Sequence, residues 1–209
     1  MNEIKIKGYL RNIEPSHMIG DVEYDKAQLV VRGEDREDII DIKFKRFSNT
    51  YKEDDLVTLT GNVRSYSRVL DSGKNRVQIY VFTYFDKPEE DDSEYLNSVR
   101  IDGRICKLEE LRTLSNGKSN IHFILANNLI IGESSQKLNS YIPCIAWGNV
   151  AKEIAKLSVN SKISVSGRLQ SREYKKRLSD KDFEICVAHE LYIESVEVIE
   201  WYGKNFSSR

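Results

Sequence analysis

The stretch 141–174 constrains the fold more than any other part of the chain. Its first residues, YIPCIAW, alternate so that Tyr141 and Trp147 fall on the same face of a strand. A glycine and an asparagine then interrupt the alternation, and apolar residues recur at helical spacing over 150–157. A second alternating run begins at Lys162. The stretch therefore predicts a strand, a short amphipathic helix and a second strand.

The second of these strands has two unlike faces. Its odd-numbered positions from Ile163 to Leu169 are apolar or small, whereas its even-numbered positions are polar and include Arg168, Arg172 and Tyr174. One face is expected to join a core and the other to present cations and a ring to solvent. Such a strand–helix–strand unit suits the third and fourth strands of an OB-fold, a small barrel that often binds nucleic acids.

The same residues resemble a known family. The run IPCIAWGNVAKEIAKL, followed by SKISVSGRLQSREY, resembles the core of bacterial single-stranded-DNA-binding proteins. The preceding run VRIDGRICKLEELRTLSNGKSNIHFILA, residues 99–126, is similar to the first hairpin of that family, with its turn at Asn116-Gly117. The resemblance covers residues 98–198, about half of the chain. It implies that Tyr141, Trp147 and Tyr174 stand where the family stacks bases.

The first half of the chain repeats the order of the second. IKIKGYL near the N-terminus matches VRIDGRI from Val99, FSN from Phe47 matches WGN from Trp147, and GNVRS from Gly61 matches GRLQS from Gly167. Alternating runs predict five strands in the first half, with a loop over 15–21. We therefore expect an all-β protein of two five-stranded OB-fold barrels in tandem, the second with a short helix between strands 3 and 4.

An acidic run sets the expected domain boundary. Residues 87–95, KPEEDDSEY, carry one lysine and five acids, whereas residues 96–209 carry 17 Lys and Arg against 13 Asp and Glu, a net +4 within a chain of net charge -1. We expect a divergent OB-fold domain 1 at 1–86, a linker at 87–95, an OB-fold domain 2 that resembles the family at 96–200, and a polar tail at 201–209. The mildly basic second half permits phosphate binding.

Rings and cations on the outer faces form the candidate DNA-binding set. Aromatic rings stack on unpaired bases for about 1–3 kcal/mol each, and Lys and Arg follow the phosphates. The second domain contributes Tyr141, Trp147, Tyr174, Arg168, Arg172, Lys175, Lys176, Arg177, Arg100, Arg104, Arg112 and Lys118. The first domain contributes Phe47, Tyr66, Lys43, Lys45, Arg46, Arg64 and Arg68.

Several of these residues have a purely structural alternative. Trp147 could pack in the core beside its glycine, and a tyrosine at a strand end is often merely solvent-facing. The run 175–177 could be a solvated loop. The row Tyr80, Phe82 and Tyr84 is assigned to an interface between barrels or between subunits, although a strand buried on both faces would look the same.

We expect a protein that coats single-stranded DNA without sequence specificity in replication, recombination or repair, with the second barrel dominating affinity. RNA stays open as a ligand because stacking does not read the sugar. A rival hypothesis is a primosome-like adaptor that binds replication proteins through the same fold. An OB-fold nuclease is a second alternative, but catalysis is not expected: the acids over 35–41 alternate outward, and no phosphate-binding loop, nucleophile elbow or HExxH motif occurs.

The expected partners and setting follow from the same features. We expect a homodimer that brings four barrels together, with replication or recombination proteins as further partners. No cofactor or metal is expected, because the three cysteines and three histidines are scattered without metal-ligand spacing. The first ten residues lack a signal-peptide core and no apolar run reaches about 20 residues, which favours a cytoplasmic, nucleoid-associated protein without a membrane segment.

Overall fold

The computed structural model describes residues 1–33, 36–46, 51–69, 75–83, 95–131, 136–177 and 182–201. Within them the chain is nearly all-β, as the alternating runs predict. The elements are β1 (Asn2–Ile19), β2 (Val22–Arg32), β3 (Glu37–Lys45), β4 (Leu56–Val69), β5 (Asn75–Thr83), β6 (Asn97–Leu108), β7 (Arg112–Thr113), β8 (Ser119–Ile131), β9 (Gln136–Trp147), α1 (Gly148–Ile154), β10 (Lys162–Arg177) and β11 (Phe183–Glu200). No helix among the described residues is both long enough and apolar enough to cross a membrane.

The strand pairings close into two circuits. In the first half, β1 pairs with β2, β2 with β3, β3 with β5, β5 with β4 and β4 with β1. In the second half, β6 pairs with β8, β8 with β9, β9 with β11, β11 with β10 and β10 with β6. The β3–β5 and β9–β11 pairings are parallel and the other pairings are antiparallel. The two halves therefore follow the same path.

A seam between β1 and β6 joins the halves into one sheet. Its register is symmetric about the pair Ile4↔Val99, since Asn2 lies opposite Ile101 and Ile6 lies opposite Asn97. Each strand thus presents the same positions to the other, as at the interface of a twofold dimer. Apolar side chains from both sides of this seam share one buried cluster.

Two asparagines confirm that the halves are equivalent. Asn2 Nδ2 donates to the Val63 carbonyl at 2.8 Å, and the Val63 N–H donates back to Asn2 Oδ1 at 2.9 Å. Asn97 makes the same pair of bonds with Leu169, at 2.7 and 3.0 Å. Val63 and Leu169 hold the same place in the GNVRS and GRLQS segments, so the match between those segments is correct.

Pairing also relates β3 to β9. Val63 lies opposite Val81 and Leu169 lies opposite Leu191, so Val81 and Leu191 are equivalent. In turn, Val81 pairs with Ile42, and Leu191 pairs with Cys144. Ile42 and Cys144 are therefore equivalent, and counting along both strands fixes every other pair of positions.

This register corrects the sequence match between Phe47 and Trp147. Trp147 follows Cys144 by three residues, as Lys45 follows Ile42, so Trp147 falls at the position of Lys45. The ladders agree, because Lys45 lies opposite Tyr24 as Trp147 lies opposite Asn120. The sequence match of FSN with WGN is therefore two residues out of register. Phe47 itself lies outside the described residues.

The β1–β2 hairpin is longer than the sequence indicates. A loop was expected over 15–21, but β1 continues through Pro15 to Ile19 and turns at Gly20 and Asp21. Its pairing with β2 reaches Ile19↔Val22 and tolerates two register shifts, one of them just after Pro15. Past the core, both faces of this part of the hairpin are exposed to solvent. Its sequence therefore has no alternation of apolar and polar residues from which a strand could be predicted.

Matching serines lock each half onto the other. Ser65 Oγ accepts the N–H of Tyr141 at 2.7 Å, and Ser171 Oγ accepts the N–H of Ile39 at 2.9 Å. The register makes Ser65 equivalent to Ser171 and Tyr141 equivalent to Ile39. Asp38 was predicted to face outward with the other acids over 35–41, but its carboxylate is buried and strengthens the second junction by accepting the Ser171 N–H at 2.7 Å.

Candidate nucleic-acid interface

A groove of about 650 Å³ lies on the outer side of the second half. Strands β8, β9, β10 and β11 form its floor, and β7 forms one rim. Its lining includes two rings (Trp147 and Tyr192), four cations (Arg36, Arg112, Arg168 and Arg172), two amides (Asn120 and Gln170) and one buried acid (Glu190). His122, Ile145 and Glu109 complete the lining.

Trp147 stands where β9 gives way to α1. Its backbone is extended (φ -127°, ψ 158°), and the next residue, Gly148, adopts a left-handed conformation at φ +59°. Glycine adopts that conformation without the steric cost of a Cβ. The reversal lets β9 end with Trp147 half-buried on the outer face, opposite the core side chains Cys144 and Ala146. Trp147 is thus available to a ligand rather than sealed in the core.

A cation and a ring form the neighbouring part of the groove. The guanidinium of Arg168 lies 4.1 Å from the centroid of the Tyr192 ring, a cation–π contact. Arg168 also pairs with Glu194 on the exposed side, at 2.9 Å. Tyr192 was not predicted from the sequence; its position across from Arg168 in the β10–β11 ladder is the signal that would have found it.

Buried polar groups form the groove floor. Gln170 and Glu190 are 7% and 6% exposed, and Gln170 Nε2 donates to Glu190 Oε1 at 2.9 Å. Arg172 Nε lies 3.6 Å from the same oxygen. Arg36, from the first half, reaches this floor with a long 3.5 Å contact to Gln170 Oε1. Alternation along β10 places Gln170 outward, but neighbouring strands cover it.

The predicted aromatics of the second half do not all meet. Tyr141 is 45% exposed, but it lies at the other end of β9, beside the first half. Trp147 lies six positions further along β9, roughly 20 Å away. Tyr174 is half-buried on the β10–β11 arm, with the Arg172 guanidinium 6.0 Å from its ring centroid. Lys175 is exposed on the same arm.

Other predicted cations spread around the groove. Arg112 lies on its rim and pairs with Glu109 at 3.1 Å, and Lys118 is exposed at the β7–β8 turn. Arg100 and Arg104 instead face the end of β11, where they pair with Glu197 at 3.9 Å and Glu200 at 2.6 Å. Two further candidates, Lys176 and Arg177, lie in β10 with side chains outside the described set.

The outer face of the first half carries more rings. Lys43 lies over both Tyr66 and Tyr80, with its Nζ 5.4 and 4.7 Å from their centroids. Burial, and next the charge of Lys26, lower the pKa of Lys43. These side chains line a second depression of about 360 Å³.

Arg64 is less accessible than its outward parity indicates. It is 8% exposed, and its guanidinium lies 3.7 Å from the centroid of Phe82. Phe82 in turn contacts Tyr24, with 5.5 Å between ring centroids. Much of the row assigned to an interface thus packs against side chains of its own half, while Tyr84 lies outside the described residues.

The remaining first-half candidates are exposed or outside the described set. Lys45 is exposed at the end of β3, and Arg46 donates to Asp25 at 2.9 Å. Arg68 lies in β4, but its side chain is outside the described set. Throughout the described part of the chain, no three His, Cys, Asp or Glu side chains converge as a metal site.

Comparisons with known proteins agree with this geometry. The sequence model of the "Single-strand binding protein family" matches residues 96–198. Single-stranded DNA-binding proteins A and B of Bacillus subtilis (strain 168) are each 34% identical, over 107 and 80 residues. The matches cover 50% of this chain and 60% of protein A, and 37% of this chain and 71% of protein B.

The likeness in fold extends over the whole chain. The crystal structure of the wild-type single-stranded DNA binding protein from Thermus aquaticus superposes with a TM-score of 0.70, covering 98% of this chain and 96% of that chain at 16% identity. A deletion variant of the same protein gives a TM-score of 0.71, with 99% and 98% covered. The chain spans about three fifths of the length of protein A, the curated relative with the longer of the two Bacillus matches.

Proposed function

The chain belongs to the single-strand binding protein family, and from that premise we propose that it binds single-stranded DNA without requiring a fixed sequence, as a binding protein rather than an enzyme. The observation that carries this proposal is the groove around Trp147. Rings, arginines and amides line it together, which is the combination that unpaired nucleotides need.

Two rings supply the stacking surface in this proposal. Trp147 and Tyr192 line the same groove and are both half-buried, so each ring is held in place and keeps exposed surface. A base that stacks on such a ring gains about 1–3 kcal/mol whatever its identity. Tyr141 and Tyr174 would extend the path beyond the groove at either end.

Phosphates would replace acids at the arginines. Arg168 and Arg112 pair with glutamates that are at least one-third exposed, whereas the partner of Arg172, Glu190, is buried. Pairs on the surface such as those of Arg168 and Arg112 are worth about 0–1 kcal/mol, so a phosphate can displace their acids at small cost. Binding is then expected to weaken as salt rises, because counterions are released from the DNA.

We further infer that the two circuits are two OB-fold barrels, an N-terminal one in residues 1–86 and a second one in residues 96–200, separated by the acidic run. The closed pairings and the shared path of the halves support this inference. The short helix α1 occurs between β9 and β10 of the second half, where the sequence predicts it.

Fluorescence titration tests the function. A Trp201→Phe variant leaves Trp147 as the only tryptophan, since the chain has two. Oligothymidine should quench its emission with an affinity that falls as salt rises, and duplex DNA of equal length should bind far more weakly. A single-stranded RNA arm reports any preference for the sugar.

The rival adaptor hypothesis makes the opposite prediction. An adaptor that uses this face for replication proteins would leave Trp147 emission unchanged by oligonucleotides at low salt. Equal binding of single and double strands would also contradict the proposal, because the groove then would not recognise unpaired bases.

We also propose a homodimer, which would bring four barrels together, and a role in DNA replication, recombination or repair. The seam already gives each chain a twofold-like pair of halves, so a dimer of chains would carry four. Light scattering at micromolar concentration should return twice the chain mass of 24.2 kDa. A mass equal to one chain would rule the dimer out.

A further inference from the structure

The groove floor holds a feature that stacking does not explain. Glu190 is 6% exposed, yet it lines the groove on the same face of β11 as Tyr192, and it also lines the adjoining cavity of about 270 Å³ toward the first half. Non-specific binding needs rings and cations but no buried acid. A carboxylate under the path of a polyanion even opposes binding, so its presence requires another reason.

The contacts of Glu190 orient it as an acceptor. Gln170 Nε2 donates to Oε1 at 2.9 Å, and Arg172 Nε lies 3.6 Å from that same oxygen. Within the described part of the chain both contacts fall on Oε1, which leaves Oε2 to accept from a ligand. The Gln170 contact fixes the carboxylate, since the amide is itself 7% exposed.

A second buried group on the groove floor lacks a partner. Asn120 is 8% exposed, lines the same groove and lies opposite Trp147 in the β8–β9 ladder. Among the described residues its Oδ1 atom has no hydrogen-bond partner. A buried amide normally finds one, and a ligand in the groove would provide it. The groove floor therefore offers acceptors for base edges at two places, Asn120 beside Trp147 and Glu190 beside Tyr192.

We propose that Glu190 makes the groove select bases that carry an amino group over thymine or uracil. This inference rests on the proposed function, because it assumes that unpaired bases enter the groove. A carboxylate accepts from the N4 amino group of cytosine, the N6 amino group of adenine, or N1–H and the amino group of guanine. Thymine and uracil offer one N–H flanked by two carbonyl oxygens, which the carboxylate repels.

Burial gives this contact its discriminating power. A hydrogen bond between a fixed acid and a base edge excludes water, so a base that lacks the donor leaves the carboxylate unpaired. Such a mismatch costs about 1–3 kcal/mol, or roughly fivefold to a hundredfold in affinity. Stacking on the rings of the groove still admits every base, so selection acts as a preference within general binding.

Homopolymers of deoxycytidine and deoxyuridine of equal length test the proposal, because the two bases differ only at the edge that Glu190 would read. The full chain is titrated with each at one salt concentration and mildly alkaline pH. We expect deoxycytidine to bind at least about fivefold more tightly. Equal affinities, or tighter binding of deoxyuridine, would overturn the inference while leaving single-strand binding intact.

The variant Glu190→Gln should remove the preference, because an amide can donate to the O4 atom of uracil. Its matched control is Glu194→Gln on the same strand, an exposed acid that pairs with Arg168 at 2.9 Å. The control should change both affinities by the same factor. If Glu190→Gln still prefers deoxycytidine, another residue causes the preference and the proposed role of Glu190 is refuted.

A measurement on the unaltered protein covers the case in which Glu190→Gln does not fold. A homopolymer of N4,N4-dimethyldeoxycytidine keeps the ring but has no amino hydrogen to donate. Its affinity should fall to that of deoxyuridine, and an affinity equal to that of deoxycytidine would refute the proposal. Failure of every homopolymer to bind would instead refute the proposed function.

Discussion

The two halves share one strand path, but their outer faces differ at equivalent positions. Register places Arg64 and Tyr80 of the first half where the second half has Gln170 and Glu190. It also places Phe82 where the second half has Tyr192. In the first half the guanidinium of the arginine lies 3.7 Å from the centroid of the phenylalanine ring and both residues are buried, whereas in the second half the amide and acid form the floor of an open groove.

The same arrangement of strands can therefore carry an outer face that side chains cover, as in the first half, or one that forms an open groove, as in the second. Cations of the first half rest on its own rings, as Lys43 does over Tyr66 and Tyr80. A cation also lies over Tyr192 in the second half, but Tyr192 keeps exposed surface, whereas Phe82 is only 8% exposed beneath Arg64. We therefore keep the prediction that the second half dominates affinity.

The largest expected effect tests the equivalence of the halves. Gly61 and Gly167 occupy matching positions, and a Cβ at either would overlap a backbone carbonyl oxygen, that of Phe82 or of Tyr192. Gly167→Ala should lower the free energy of unfolding by about 2–4 kcal/mol, and Gly61→Ala by a similar amount. Urea denaturation measures both. Ser166→Ala, at the neighbouring half-buried position, is the control and should change little.

The next effect tests the contrast in binding. Trp147→Ala should cost about 1–3 kcal/mol of oligothymidine affinity, because it removes a stacking ring. Lys45→Ala, at the matching position of the first half, should cost less and should mainly reduce the salt dependence. Phe47→Ala should also cost less than Trp147→Ala. Filter binding at several salt concentrations measures all three, and equal losses would remove the distinction between the halves.

The two serine junctions should behave alike. Ser65→Ala and Ser171→Ala each remove the acceptor of one backbone N–H across the halves, and each should cost about 1 kcal/mol of stability. Asp38→Ala should cost more than either, because its carboxylate is 2% exposed and accepts from both Arg36 and Ser171. Thermal unfolding followed by circular dichroism ranks the three variants. If Asp38→Ala leaves the stability unchanged, the carboxylate of Asp38 does not strengthen the junction at Ser171.

The smallest effect concerns the exposed end of β11, away from the groove. A hydrogen bond from Arg104 lowers the pKa of Glu200, with Lys162 also nearby. Its stabilisation is therefore present at neutral pH and is lost as pH falls through the pKa of the folded state. Glu200→Gln should lower stability slightly at neutral pH and leave it unchanged in acid. A difference that grows in acid would contradict this sign.

The alternation of apolar and polar residues predicted most of the strands. It did not predict the extension of the β1–β2 hairpin or the buried polar groups of the groove floor. The strands whose apolar residues face the core, such as β3 and β9, were predicted because burial on one face leaves a period of two. The extension of β1 through Pro15 has no such period, since its pairing with β2 lies beyond the core. Backbone hydrogen bonds to β2 hold this extension in place, and they do not require a particular pattern of side chains.

The candidate site was predicted in part for a similar reason. Trp147 of β9 and Arg168 and Arg172 of β10 line the same groove as outward positions of their strands, which parity can predict. Glu190 and Gln170 are outward by parity but buried by their neighbours, and only the register of β10 against β11 brings them into contact. The shift between Phe47 and Lys45 as the counterpart of Trp147 likewise needed pairing partners rather than local similarity.

The symmetric seam has a consequence for behaviour at low concentration. Between separate chains, five paired residues per strand would form a bimolecular contact that comes apart on dilution. Here both strands belong to one polypeptide, so their encounter is intramolecular and their effective concentration is fixed by the connecting chain. The pairing of the halves therefore stays intact at any dilution.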